Sequence, residues 1–519
     1  MTLKFLTFYK YPMKHLIILS LLLICTFSFG QELKTSEKRV EIELKDDRFN
    51  EEVFPMGKNG VVVKSFSREG GVKYKALLHH DLYNTDLELE ETDPIEIDLK
   101  LPIVTTFETE DDIYHLAFRR KKKPICIYQF DVKDKSTKQI DIEYNGDIKF
   151  RGIDYLHVVG QQAAAMGFSK SGMQFLLFDL ESQTVTATPI FIENFKPGRI
   201  IATNMQYLEE VKKFYISLWV IETSRISHAY LIDADLEGQL NAPMKIDESE
   251  GRFVKSITVG QVGQEDLVIA GTYGNGPYSA NTGIYFGTSS DGEITDMTSY
   301  NFLDIPNYLD YLPERAQRRI ENKKERKESR GKELEAAELL VMHNLIPVDD
   351  DFLLITEAYY PTYRTETRTT TSGGKTTTTT VQVFDGYQYT HAMIAKFSRE
   401  GEMLWSQVFK MYLWYKPFVA RTFIRVAGKE QNSIQLVYAD GKNIYSKSFS
   451  FDGEILNEKT SNPINTENDN DKIKESYSNI AFWYDKYFLS YGVQDIKNRG
   501  DVDVKRRRKV FFMNKVSFE

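Results

Sequence analysis

The chain has 519 residues, of which 41% are hydrophobic and 27% charged, a balance that excludes a disordered chain and leaves one large repeat array or several ordinary domains. A net charge of −9 argues against bulk attraction to nucleic acid. Aromatics reach 13%, with 30 Tyr and 33 Phe, which suits strands better than helices.

Residues 1–30 read as a signal peptide. Lys10 and Lys14 precede an apolar run over 16–29, and Ser28-Phe29-Gly30 supplies small residues at the −3 and −1 positions, so cleavage is expected before Gln31. Met13 alone begins a complete signal. The alternative, a membrane anchor, needs a longer apolar run. Ile24, which is not a small residue, precedes Cys25 and argues against a lipoprotein site. The mature chain, 31–519, is then expected to be one exported domain with no transmembrane segment. Cys126 is alone in it, inside the strand-like Pro124-Ile-Cys-Ile-Tyr, and reads as a buried, inert thiol.

Residues 39–44, RVEIEL, alternate as a strand does. After them a turn recurs near Asn84, Asp134, Glu181, Glu237-Gly238, Asp291-Gly292, Glu400-Gly401 and Asp452-Gly453. Asp-Gly between β-prone runs, as in 284–302, is a strong hairpin signal, because Gly takes positive φ without a Cβ clash. Most intervals are about fifty residues long and hold four β-prone runs, the pattern of a propeller blade. One such set is 103–107, 113–118, 125–132 and 139–144; the next is 155–159, 163–168, 175–180 and 185–192. Units begin near Glu52, Pro102, Lys149, Gly198, Arg252, Ala336, Pro417 and Lys472. The eighth has no room for a fourth strand, and 39–44 is expected to supply it and close the ring. The reading is an all-β propeller of eight four-stranded blades, with seven as the alternative.

On unit length and turn position the mature chain resembles secreted bacterial β-propeller proteins of the loosely repeated kind. It carries neither a repeated Trp-Asp dipeptide nor a paired-Gly motif in every blade. The resemblance therefore implies a fold and no particular activity.

Two insertions break the period. Residues 307–335 read as a charged helix: Pro313 and Glu314 suit its first turn, Leu312, Ala316 and Ile320 form a short apolar stripe, and Gly331 ends or bends it. Residues 361–382, PTYRTETRTTTSGGKTTTTTVQ, read as a protruding hairpin extending the second and third strands of unit six, or else a flexible loop.

Catalytic signatures are missing from the sequence: it has no G-x-S-x-G, H-E-x-x-H, C-x-x-C or P-loop. The glycines Gly271, Gly274 and Gly276 read as a loop joining two strands, since no helix opens behind them. The spacing of His79, His80, His115, His157, His228, His343 and His391 does not suggest a metal site, and no cofactor is implied.

Blade topology places the loops between second and third strands on the same side as the connections between blades. That side is expected to collect the unusual segments: 119–123 (RRKKK), 273–283, the Thr-rich hairpin, the helical insertion and 494–508. Loops on a rigid scaffold are where function concentrates. Two candidate surfaces follow. Tyr359, Tyr360, Tyr363, Tyr387 and Tyr389 gather at the hairpin base and offer stacking faces for sugar or protein. Arg119, Arg120, Lys121, Lys122 and Lys123 with Arg506, Arg507 and Arg508 offer a basic arc for an anionic partner. The expected function is a non-enzymatic scaffold engaging an envelope or extracellular protein or glycan through this face. The alternative is a propeller enzyme, such as a glycan lyase or hydrolase, with an axial active site.

Overall fold

One kind of turn sets the period. At the end of a blade's third strand, a side-chain oxygen folds back onto backbone N–H groups two to four residues ahead, giving the turn a local partner. Asn84 accepts from Asp86 and Glu88, Asp131 from Lys133 and Asp134, Asp179 from Glu181 and Ser182, Asp235 from Glu237 and Gln239, and Ser398 from Glu400 and Glu402. Gly238, Gly401 and Gly453 then take φ of 82°, 90° and 83°. The Asp131 turn starts the fourth strand of blade two at Ser136 rather than at 139, correcting the expected boundary.

The computed structural model describes residues 33–44, 48–68, 74–122, 124–223, 225–246, 252–263, 266–290, 292–373, 375–428, 433–501 and 503–518. The expected leader, Cys25, Lys123 and Asp291 lie outside the described residues.

The strands form eight antiparallel sheets, seven built from strands consecutive in sequence. The chain is an eight-bladed β-propeller. Each blade interface holds a core cluster, and together the clusters run around the full ring. Middle strands are buried on both faces and read as near-continuous apolar runs, such as Asp112–Phe118 and Asp266–Gly274. The latter corrects the expected loop: Gly271 and Gly274 belong to this strand, and a Cβ on Gly271 would collide with the Ser256 carbonyl. Cys126 is buried, and burial pushes its thiol up to about 12.

Blade eight closes the ring. Its strands are Asp471–Tyr484, Tyr487–Asn498, Arg507–Phe518 and, from the other end of the chain, Leu33–Glu43. The closing strand is longer than the expected 39–44, with an irregularity between Thr35 and Arg39. A buried ion cluster locks this seam. Arg508 binds Asp471 and Glu41, with side-chain exposures of 9%, 0% and 4%. Arg39 binds Glu41, Gln494 and Asn514 and lies over the Phe512 ring.

Blade six carries the Thr-rich hairpin as a direct continuation of its second and third strands, Asp351–Ser372 and Lys375–Phe397. Pairing holds to the tip, Ser372 to Lys375. The helix, Glu314–Glu328, follows Pro313, which caps it rather than entering the first turn. It ends where Gly331, at φ 67°, donates to the Glu328 carbonyl and Lys332 to that of Lys327. Among the described residues, no helix is long and apolar enough to cross a membrane.

Candidate ligand-binding face

The first strands of the blades line the axis, and nearly all of them are interrupted. The register slips at Phe49/Glu52, Ile103/Thr105, Asp154/His157, Ala202/Asn204, Val254/Ser256 and Ile473/Glu475 in blades one to five and eight. In blade six the first strand is split into Leu339–Met342 and Ile346–Val348. In blade seven it shrinks to Arg425–Ala427 behind an irregular segment, 416–424. A bulge leaves one residue unpaired and re-aims its side chain. Thr203 and Lys255 are such residues.

These interruptions open a pocket of about 310 Å³ between blades four and seven. Thr203, Asn204, Lys255 and Ser256 form one side; Met342, Asn344, Ala420, Arg421 and Thr422 form the other. Asn204 reaches Asn344 at 3.3 Å, linking blade four to blade six. Because first strands start on the side of the inter-blade connections, the pocket lies toward the loop-decorated face.

The far wall is held from behind. Glu357, wholly buried, accepts from the Phe423 and Ile424 N–H groups and from His343 Nε2 at 2.7–3.0 Å. Tyr389 donates its hydroxyl to the Arg421 carbonyl at 2.7 Å and accepts from the Arg421 N–H at 3.0 Å. The Arg421 guanidinium lies 4.7 Å over Tyr415 and 5.0 Å over Phe423, and donates to Tyr477 and Asn479. Opposite, Lys255 donates to the Pro277 carbonyl and sits 5.6 Å over Trp219; burial lowers its ammonium to about 8.

The tyrosines at the hairpin base divide into two groups. Tyr359, Tyr387 and Tyr389 pack together against blade seven. Tyr360 and Tyr363 stay exposed. Tyr360, Gln388 and Trp414 lie in one cross-strand row, so Tyr360 and the exposed Trp414 share a face. On the other face Tyr363, Phe384 and Phe418 form a run of rings, Phe418 being 82% exposed. Tyr387 donates to the Phe418 carbonyl, so the segment carrying Phe418 and Val419 continues directly into Ala420 and Arg421 of the pocket wall. Aromatic faces and axial pocket are therefore joined by one stretch of chain.

The basic runs lie on separate blades. Arg119, Arg120, Lys121 and Lys122 are exposed on the blade-two loop. Arg506 and Arg507 are exposed on blade eight, where the register sets Lys472, Lys497 and Arg507 side by side. Arg508 turns inward to the closing cluster.

The remaining histidines are mostly structural. His80 and His115 meet Nε2 to Nε2 at 3.0 Å, each bonded outward to a threonine, and burial holds both well below the usual imidazole range. Glu108, at the end of the first strand of blade two, has its carboxyl raised to about 7 by desolvation, which outweighs the opposing pull of Arg425.

Sequence reading did not single out Lys255, Arg421, Asn204 or Asn344. One local signal was present: a polar pair breaks the strand alternation at Thr203-Asn204, Lys255-Ser256 and Lys474-Glu475.

The class these features define is a propeller with a decorated, pocketed face. No family model matches the chain, and no curated protein does. Among solved structures it is similar to the Dos1 propeller (11% identity, TM-score 0.43, 93% of this chain and 95% of that one). It is also similar to the polysaccharide lyase Uly1 (8%, 0.39, 94% and 100%) and to a DUF4221-family protein from Bacteroides vulgatus (10%, 0.31, 94% and 99%).

Proposed function

We propose that this propeller is an exported, non-enzymatic scaffold of the cell envelope or exterior that binds a glycan through its decorated face. The observation that carries this reading is the continuity from exposed rings at the hairpin base, through 416–422, into a polar axial pocket. Tyr and Trp faces stack on sugar rings at low entropic cost, while amides and hydroxyls answer sugar hydroxyls. A hydrolase would need two carboxyl groups flanking the scissile bond, and no carboxylate lines this pocket among the described residues. The leader sequence supports export.

Two measurements test this reading. The chain expressed with its leader should be recovered outside the cytoplasm with Gln31 as its first residue; retention of residues 1–30 in the cytoplasm counts against export. The mature chain should bind members of a polysaccharide panel in titration calorimetry, and replacing 361–381 by a short Gly-Ser turn, or Trp414 and Phe418 by Ala, should weaken that binding. Unchanged affinity in both variants would move the site off this face.

A further inference from the structure

We infer that the axial pocket is a subsite for an oxyanion, a carboxylate or sulfate, carried by one sugar residue of the bound glycan. The inference rests on the reading of the decorated face as a glycan-binding surface and names the ligand class it takes.

Lys255 is half-buried and Arg421 is exposed, so a ligand entering the pocket can reach both cations. Lys255 and Arg421 both line this pocket, and neither has an acidic partner among the described residues. Lys255 spends one N–H on the Pro277 carbonyl, and Arg421 spends the hydrogens of one terminal nitrogen on Tyr477 and Asn479. Each retains donors for a ligand, and an oxyanion offers the acceptors that match them. At the closing seam, by contrast, Arg508 and Arg39 are bonded to carboxylates.

Both cations are also held in place before any ligand arrives. Arg421 is fixed by Tyr389 at its own backbone, by Glu357 two and three residues on, and by two aromatic faces. Lys255 is re-aimed toward the axis by its bulge and backed by Trp219. Pre-organisation of this kind reduces the ordering cost of binding. Asn204, Asn344 and Thr422 stand beside the cations as partners for ring hydroxyls, and the volume is of the size that holds a small ligand.

The test titrates galacturonate, sulfated galactose and neutral galactose into the mature chain, followed by NMR. The charged sugars should bind and neutral galactose should not. Lys255→Met and Arg421→Gln should each weaken charged-sugar binding about tenfold or more, the size of one lost charge-assisted hydrogen bond. Lys255→Arg should retain most of it and guards against a folding artefact. In the parent, affinity should fall as pH rises from 7 to 9.5, and this fall should vanish in Lys255→Met. The 361–381 replacement should leave charged-sugar binding intact while polymer binding drops. If the parent binds polysaccharide but neither charged sugar, or if both substitutions leave charged-sugar affinity unchanged, the subsite is wrong and the glycan reading stands. If charged sugars bind but no polysaccharide does, the subsite stands and the wider reading fails.

Discussion

Two sets of cations in this ring face opposite circumstances. At the closing seam, Arg508 and Arg39 are buried and meet Asp471, Glu41, Gln494 and Asn514. In the axial pocket, Lys255 and Arg421 meet carbonyl, amide, hydroxyl and aromatic groups, and no carboxylate among the described residues. The first arrangement serves closure, because a buried charge left unpaired costs several kcal/mol. The second leaves both cations open to solvent at the axial pocket. The contrast separates residues that maintain the ring from those that use it.

The largest effect should come from the seam itself. Removing residues 33–44 leaves the third strand of blade eight without its partner and opens the interface with blade one. The expected outcome is loss of the cooperative melting transition and aggregation in size-exclusion chromatography; a truncated chain that melts like the parent would refute strand closure. Next, Arg508→Leu should cost about 3–5 kcal/mol in urea unfolding, since it strands Asp471 in the interior. Arg508→Leu combined with Asp471→Leu should recover part of that loss. Burial pushes the Asp471 carboxyl up, but Arg508 and Asn498 more than offset it and hold it below its usual range. This contribution is present above pH 3.8 and is lost as pH falls through the folded value, so the seam weakens in strong acid.

Pocket substitutions should behave differently. Lys255→Met should leave stability unchanged or raise it, because the folded state disfavours that ammonium. Burial lowers Lys255 from 10.5 to about 8, so the parent should gain stability as pH rises between those values, and Lys255→Met should lack that gain. Denaturant midpoints taken across that range in both proteins check the sign. The smallest effect belongs to the hairpin. Its Thr rows contribute about 0.2–1 kcal/mol per cross-strand pair within the hairpin and bury no core, so replacing 361–381 should leave the melting temperature nearly unmoved.

The ring was legible because its turns are chemically local. Asp235, Ser398 and the glycines after them declare their geometry within five residues, and the missing strand of unit eight had a visible counterpart at 39–44. The hairpin and the charged helix stood out as interruptions of that period. The pocket was not legible in the same way. Lys255 and Arg421 are 166 positions apart and meet only because four blades converge on the axis. Tyr389 shows the same limit: its place at the hairpin base was readable, but its bond to Arg421 depends on how the blade-seven approach folds back. Arg508 looked like its exposed neighbours Arg506 and Arg507 until strand parity turned it inward.

The closing strand also orders events in time. Arg39 and Asn514, bonded across the seam, are separated by 475 positions in the chain. Loop-closure entropy grows only logarithmically, so stretching a closure from a blade length of about fifty residues to this span adds roughly 2 kcal/mol. Thermodynamics therefore tolerates the arrangement, but kinetics does not treat it as neutral. Contacts this distant form late. The strand made first must wait for Arg507–Phe518, and until then Val53, Val63, Leu489 and Met513 lack the packing of the finished interface. The slowest phase of refolding should follow blade eight rather than the hairpin, and the half-closed ring is the species most exposed to aggregation.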